Sequence, residues 1–270
     1  MTIQTRAAAI VLGMLALGFP LAAGAYPGGT PNFQTDAAPY CAGCHSSRQE
    51  FAFSGAAPGM AAKQLVENKH LAVIRAGKGG YGDLTAEQRE ELVGHIQALD
   101  AASTVQLNVI PKAKPGEVIT VTVDVTGGAG PVVGIALVDR PHRALARPIA
   151  GSGWQVVGEP TVLGQDFKEQ TEWLHLRPAD AMRNLSFVNV KGIRSDAAAG
   201  EWGRAQVVWK LRAPTTPGTY PLVASYWYGS EKASPLGIID DPILGKMLRG
   251  GFAGGSGRIL FSDVIGVKVR

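Results

Sequence analysis

The stretch EVITVTVDVT, residues 117–126, has the clearest pattern in the chain and determines the fold predicted for its larger part. Val121, Val123 and Val125 occupy every second position, and threonine or aspartate stands between them. Successive side chains of a β-strand point to opposite faces of a sheet. The alternation therefore predicts a strand that is buried on one face.

Segments with similar composition lie on both sides of this strand. Turn-forming glycine and proline residues separate them, for example at residues 114–116, 126–128 and 217–218. Further strands are predicted at residues 105–110, 185–190, 206–211, 220–228 and 259–269. Six or more strands joined by hairpins and longer connections favour an all-β sandwich for residues 104–270.

The hydrophobic period is helical before residue 103. Thr85 and Gln88 have the spacing of a capping box at the start of a helix. An apolar stripe follows it, formed by Leu92, Val93, Ile96 and Leu99. Residues 60–76 fit one helix or two short ones. The predicted fold class is therefore α + β and multidomain, with a small all-α domain over residues 26–103 followed by the β-sandwich.

The first 25 residues have the composition of a secretory signal peptide. Arg6 precedes an apolar run over residues 7–19, and small residues follow up to Ala25. The apolar run is shorter than the roughly 20 residues that a transmembrane helix needs. We therefore expect cleavage after Ala25, a periplasmic or otherwise extracytoplasmic location, and no transmembrane segment after cleavage.

The net charge of this chain excludes few classes of function. The formal net charge is +4, and it falls to +3 when Arg6 is removed with the signal peptide. Lysine and arginine do not cluster, so nucleic acid is not an expected partner. A weakly basic protein has at most a mild preference for acidic partners.

Both cysteines of the chain lie in the motif Cys41-Ala-Gly-Cys44-His45. Cys-X-X-Cys-His is the attachment motif of c-type haem, in which two thiols bind the porphyrin covalently and the adjacent imidazole binds iron. The motif predicts one covalently attached haem c, held by Cys41 and Cys44, with His45 as the proximal iron ligand. A redox-active dithiol would need a βαβ context. A zinc site would need further ligands, for which only His45 and His70 lie nearby.

The segment from Tyr40 to Asp100 resembles class I cytochromes c, because CAGCH stands early and the helix LTAEQREELVGHIQALD stands late. The resemblance implies a small all-α haem domain with a methionine ligand in the loop before the last helix. The loop at residues 75–83 contains no methionine, so the second axial ligand remains open between Met60 and His70. Lys78, Tyr81, a residue of the β-region or an open position are the other possibilities.

The β-region resembles extracellular immunoglobulin-like modules of the reelin-like kind in PGEVITVTVDVTGG and APTTPGTYPLVASYWYG. This resemblance implies a fold and no activity. Three other histidines and two methionines are interpreted as structural or packing residues: His95, His142, His175, Met182 and Met247. The loop-rich residues 229–257 are interpreted as a docking loop or a disordered excursion.

The leading functional hypothesis is an exported monohaem cytochrome that transfers electrons while the β-region docks a redox partner protein. The first alternative is a haem enzyme or gas-binding protein with an open distal site. The second is the haem subunit of a larger oxidoreductase. No catalytic residue set emerges from the sequence, so an electron carrier is favoured over an enzyme, and the oligomeric state stays open.

Overall fold

A computed structural model describes residues 42–172, 185–242, 245–250 and 254–270. The predicted signal peptide, the segment that follows it and Cys41 lie outside these residues. His175 and Met182 also lie outside them.

The described residues are mostly β-structure, arranged as two large sheets and one hairpin. Their strands are β1 Ser46–Ser47, β2 Thr104–Val109, β3 Lys112–Ala113, β4 Val118–Thr126, β5 Ala129–Val138, β6 Gln155–Val156, β7 Thr161–Leu163, β8 Phe187–Lys191, β9 Arg204–Arg212, β10 Gly218–Gly229, β11 Ile238–Asp241, β12 Gly245–Leu248, β13 Gly257–Phe261 and β14 Ile265–Val269.

The larger sheet is organised around the long strand β10. On one side β10 pairs with β14 along its first half and with β13 along its second half, both antiparallel. On the other side it pairs with β5, which in turn pairs with β8. The short strands β1 and β3 add in parallel to β13 and β14.

The second sheet has the order β2-β4-β9-β6, with β7 also paired to β9. The predicted strand at residues 117–126 is confirmed as β4, and Val121, Val123 and Val125 are buried. These valines belong to the largest apolar core, which both sheets enclose and in which Trp154 and Trp209 are also buried. Alternation therefore identified the buried face of this strand.

Three α-helices lie in the described residues: α1 Pro58–Gln64, α2 Ala72–Arg75 and α3 Ala86–Ala102. One turn of π-helix, Glu67–Leu71, runs directly into α2. The predicted capping box is confirmed, because Thr85 and Gln88 bond reciprocally at the start of α3. The apolar stripe of α3 is buried, as predicted. No helix in these residues is both long and apolar enough to cross a membrane.

The predicted fold class is wrong, because the helices do not form a separate all-α domain in front of a β-sandwich. Ser46 and Ser47 form a strand of the larger sheet, paired in parallel with Arg258 and Ile259 of β13. Ala42, Ala52 and Phe53 share an apolar cluster with residues of β10 and β13, such as Trp227. Helices of seven and four residues, α1 and α2, enclose little core by themselves, and Ala61 of α1 packs against the same cluster as Trp227. A strand of two residues has no period that the sequence could reveal.

Part of residues 229–257, which is interpreted from the sequence as a docking loop or a disordered excursion, packs on the helices. It forms the short 3-10 turns Glu231–Ala233 and Pro235–Gly237 and the hairpin β11–β12. Leu236 packs against the apolar cluster of α2 and α3. The Arg249 guanidinium donates to Asp83 Oδ2 at 3.0 Å and to the Gly80 carbonyl at 2.7 Å. Residues 231–250 therefore pack against the helical segment that follows the Cys-X-X-Cys-His motif, although the two lie far apart in the chain.

Candidate functional site

The described part of the Cys-X-X-Cys-His motif, residues 42–45, forms a turn that leads directly into β1. Cys44 is half-buried and has a free thiol. The Cys44 thiol and the His45 imidazole are therefore held at the edge of the larger sheet, where β1 pairs with β13.

Two cations bind the carbonyl groups of this turn. The buried Arg143 guanidinium donates to the carbonyls of Ala42 and His45, the latter at 2.7 Å. The Lys69 ammonium donates to the carbonyls of Gly43 at 3.2 Å and His45 at 3.3 Å. Burial lowers the pKa of Arg143 to about 10 and that of Lys69 to about 8, the latter with a contribution from Arg143. The turn therefore lies in a positively charged environment.

His45 has one ring nitrogen engaged by the protein. Its Nδ1 lies 3.3 Å from the main-chain carbonyl of Arg258. A carbonyl only accepts, so Nδ1 carries the proton and Nε2 carries the lone pair. Within the described part of the chain, no group is hydrogen-bonded to Nε2. Burial lowers the pKa of His45 to about 4, despite its bond to Arg258, so the ring is neutral at pH 7.

Residues 254–257, here called the glycine strip, lie directly against the motif. A Cβ at Gly257 would lie 2.6 Å from His45 Cδ2, and one at Gly254 would lie 2.7 Å from Cys44 Cβ. Gly254 also has a positive φ of 68°, which favours glycine. From the sequence, these residues are expected only to be part of a loop. Their pattern Gly-Gly-Ser-Gly is the one signal that could have indicated a close backbone approach.

The Arg258 side chain lies at the centre of a buried polar network behind His45. It is fully buried, and its Nε donates to Asp100 Oδ2 at 2.9 Å. Its Nη1 donates to Ser46 Oγ at 2.8 Å, and its Nη2 lies 3.0 Å from His70 Nδ1. Arg258 therefore links the end of α3, the start of β1 and the π-helical turn.

His70 continues the network toward Glu231. Its Nε2 lies 3.0 Å from Glu231 Oε1 and 2.9 Å from the Tyr81 hydroxyl. Tyr81 also donates to Glu231, and the Gly250 amide donates to Glu231 Oε2 at 2.6 Å. Burial lowers the pKa of His70, although Glu231 acts in the opposite direction. Burial and Glu231 together raise the pKa of Tyr81.

The predicted site residues are placed in different environments. His45 and Cys44 lie together, whereas Met60 lies on α1 with 67% of its surface exposed. His70 is buried, and both of its nitrogens are engaged. Tyr81, a further possible ligand, is buried and bonded to Glu231. Among the described residues, no three His, Cys, Asp or Glu side chains converge as a metal site.

The other histidines in the described ranges have structural partners. His95 Nδ1 lies 2.9 Å from Ser234 Oγ, and His142 Nε2 lies 3.0 Å from the carbonyl of Ser54. Met247 belongs to β12. Neither of these two contacts gives reason to assign a ligand role to His95 or His142.

The residues at the motif fit a covalently attached haem in their donor chemistry. The Cys44 thiol is free, and the neutral imidazole of His45 presents a lone pair on Nε2. Histidines that bind metals commonly donate their other N–H to a carbonyl, which fixes the tautomer and the ring orientation. Cys41, Cys44 and His45 would hold the group.

Searches of protein-family models and of curated proteins found no match to this chain.

Proposed function

We propose that this chain is an exported c-type cytochrome that transfers electrons, with one haem attached at Cys41 and Cys44. The observation that carries the proposal is the contact of 3.3 Å between His45 Nδ1 and the Arg258 carbonyl, which requires the proton on Nδ1 and leaves the lone pair on Nε2. Haem would supply a reversible one-electron change at iron. His45 would serve as the proximal ligand, next to the two thioether attachments.

The charges around the motif also suit a redox site. Arg143 and Lys69 both donate to the turn, and burial of Arg143 keeps its charge away from solvent screening. Nearby positive charge favours whichever redox state carries less positive charge. These two residues would therefore raise the reduction potential of a group bound at Cys44 and His45.

The proposed protein acts outside the cytoplasm and together with a redox partner protein. The secretory signal at residues 1–25 supports an extracytoplasmic, for example periplasmic, location. An electron carrier needs a redox partner protein, and the sheets would provide the surface for it.

A second candidate is a haem protein with an open distal position, which would bind a gas or a substrate. Two observations on Met60 and His70 support it. Met60 is largely exposed on α1, and His70 has both nitrogens bonded to protein groups. Neither side chain is free and buried beside the motif as a distal ligand would be.

Haem staining of a denaturing gel and a pyridine haemochrome spectrum test the attachment. We expect one covalent haem per chain in the wild type and none after Cys41→Ala with Cys44→Ala. The matched pair His45→Ala and His142→Ala separates ligation from a general effect of losing a histidine, because the His142 ring is bonded to the carbonyl of Ser54 and to the amides of Ala144 and Leu145, outside the motif. Haem that extracts from the wild type into acidified organic solvent would contradict the proposal.

Carbon monoxide distinguishes the two candidates. A carrier with both axial positions filled should be low-spin in both oxidation states and should bind carbon monoxide slowly. A high-spin reduced protein that binds carbon monoxide rapidly would instead support the gas-binding or catalytic function.

A further inference from the structure

We infer that His70 is a positioning residue for His45 and not an iron ligand: it joins Glu231 to Arg258, whose main-chain carbonyl orients the His45 ring. This inference rests on the proposed function, because the role of His45 is that of the proximal ligand. It assigns His70 a task that the motif does not indicate.

The protonation state of His70 follows from its neighbours. A guanidinium can only donate, so Arg258 Nη2, at 3.0 Å, requires His70 Nδ1 to accept. The proton of the neutral ring then lies on Nε2, which donates to Glu231 Oε1 at 3.0 Å. The Tyr81 hydroxyl donates to the same carboxylate. Both ring nitrogens of His70 are thus used within a buried network.

Iron ligation by His70 would require this network to open. The ring would have to release Nδ1 from Arg258 or Nε2 from Glu231, and both partners are fully buried. A buried charged group that loses its partner bears a large desolvation penalty. His70 is therefore held in its present orientation by the two charges on either side of it.

Arg258 connects this network to His45 through one residue. Its side chain is fixed by Asp100, Ser46 and His70, while its main chain pairs with Ser46 in β1. The His45 Nδ1–H donates to the carbonyl of the same residue. A displacement of the Arg258 guanidinium would therefore act on this carbonyl through the backbone of the same residue.

The test compares His70→Gln with His70→Leu in the full mature chain. Glutamine can accept from Arg258 through its carbonyl oxygen and donate to Glu231 through its amide, whereas leucine can do neither. His95→Gln is the matched control, since His95 also bonds a residue of the 229–257 segment, Ser234. The measurements are the ferric electron paramagnetic resonance spectrum, the proton shifts of the haem methyl groups, the midpoint potential and the Tm.

We expect His70→Gln to keep the axial-ligand signature, methyl shifts and potential of the wild type. His70→Leu should lower the Tm by about 10 °C and should also change the methyl shifts, which report the orientation of the His45 ring. A purely structural role would lower the Tm and leave the methyl shifts unchanged, and this result would overturn the inference. Loss of the wild-type ligand signature in His70→Gln would also overturn it, because it would make His70 a ligand.

The hydrogen-bond network of His70 can be tested even if the proposed function is wrong. If the wild type carries no covalent haem, nitrogen-15 spectra of the same chain still report the tautomers. A proton on His70 Nε2 and on His45 Nδ1 would support the network, and a proton on His70 Nδ1 would contradict it.

Discussion

Substitution of Gly257 by alanine should disturb the contact between the glycine strip and His45. A Cβ at this position would lie 2.6 Å from Cδ2, 2.7 Å from Nε2 and 2.8 Å from Cγ of the imidazole. Carbon atoms in contact rest at about 3.5–4.0 Å, so β13 or the ring must move by about 1 Å. The ring is already 3.3 Å from the Arg258 carbonyl, and this movement would weaken that hydrogen bond.

Overpacking of this kind costs about 2 kcal/mol of unfolding free energy, which corresponds to a fall in Tm of about 6 °C for a chain of this size. Calorimetry or circular dichroism on the mature chain measures it. Gly94→Ala is the matched control, because Gly94 lies in α3 with no atom within 4 Å of its added Cβ. It should gain about 0.8–1 kcal/mol from helix propensity. A Gly257→Ala protein as stable as the wild type would refute the packing of His45 on β13.

Three further changes test other contacts of the chain. Thr85→Ala removes the side-chain cap of α3 and should cost about 1 kcal/mol in a denaturant titration, whereas an unchanged midpoint would mean that the cap contributes nothing. Asp100→Asn takes the charge from the buried partner of Arg258 and should cost about 3–5 kcal/mol, with Asp166→Asn on the surface as a near-neutral control. His70 has a pKa below its ordinary value of 6.5, so the unfolded chain binds more protons and stability should fall as the pH drops from about 6.5 to 5. His70→Gln should make this fall less steep, and the remainder belongs to His45, whose pKa is also lowered, to about 4. An equally steep profile in that variant would mean that His70 does not contribute.

The elements that were predicted correctly depend on patterns of residues close together in the sequence. The alternation of Val121, Val123 and Val125 is visible within one strand, and so is the capping box of Thr85 and Gln88. Each signal depends on neighbours within four positions, which is the distance over which strand and helix periods operate. These parts of the fold follow from propensity and burial pattern alone.

The contacts that hold the candidate site have no such local cause. Glu231 lies 161 positions from His70 and the Arg258 carbonyl lies 213 positions from His45, so no spacing in the sequence relates them. β1 has only two residues and pairs in parallel with a strand near the other end of the chain. The all-α expectation was wrong because it assigned the segment after the motif to its own helices and could not anticipate its partner in the sheet.

The position of these partners has a consequence for how the site forms. The motif at residues 41–45 is synthesised long before β13, yet the carbonyl that fixes the tautomer of His45 belongs to Arg258. Until β13 pairs with β10 and β1, His45 lacks this hydrogen-bond partner. His70 also cannot bridge Glu231 and Arg258 before then. The orientation of His45 should therefore be established only when β13 joins the larger sheet.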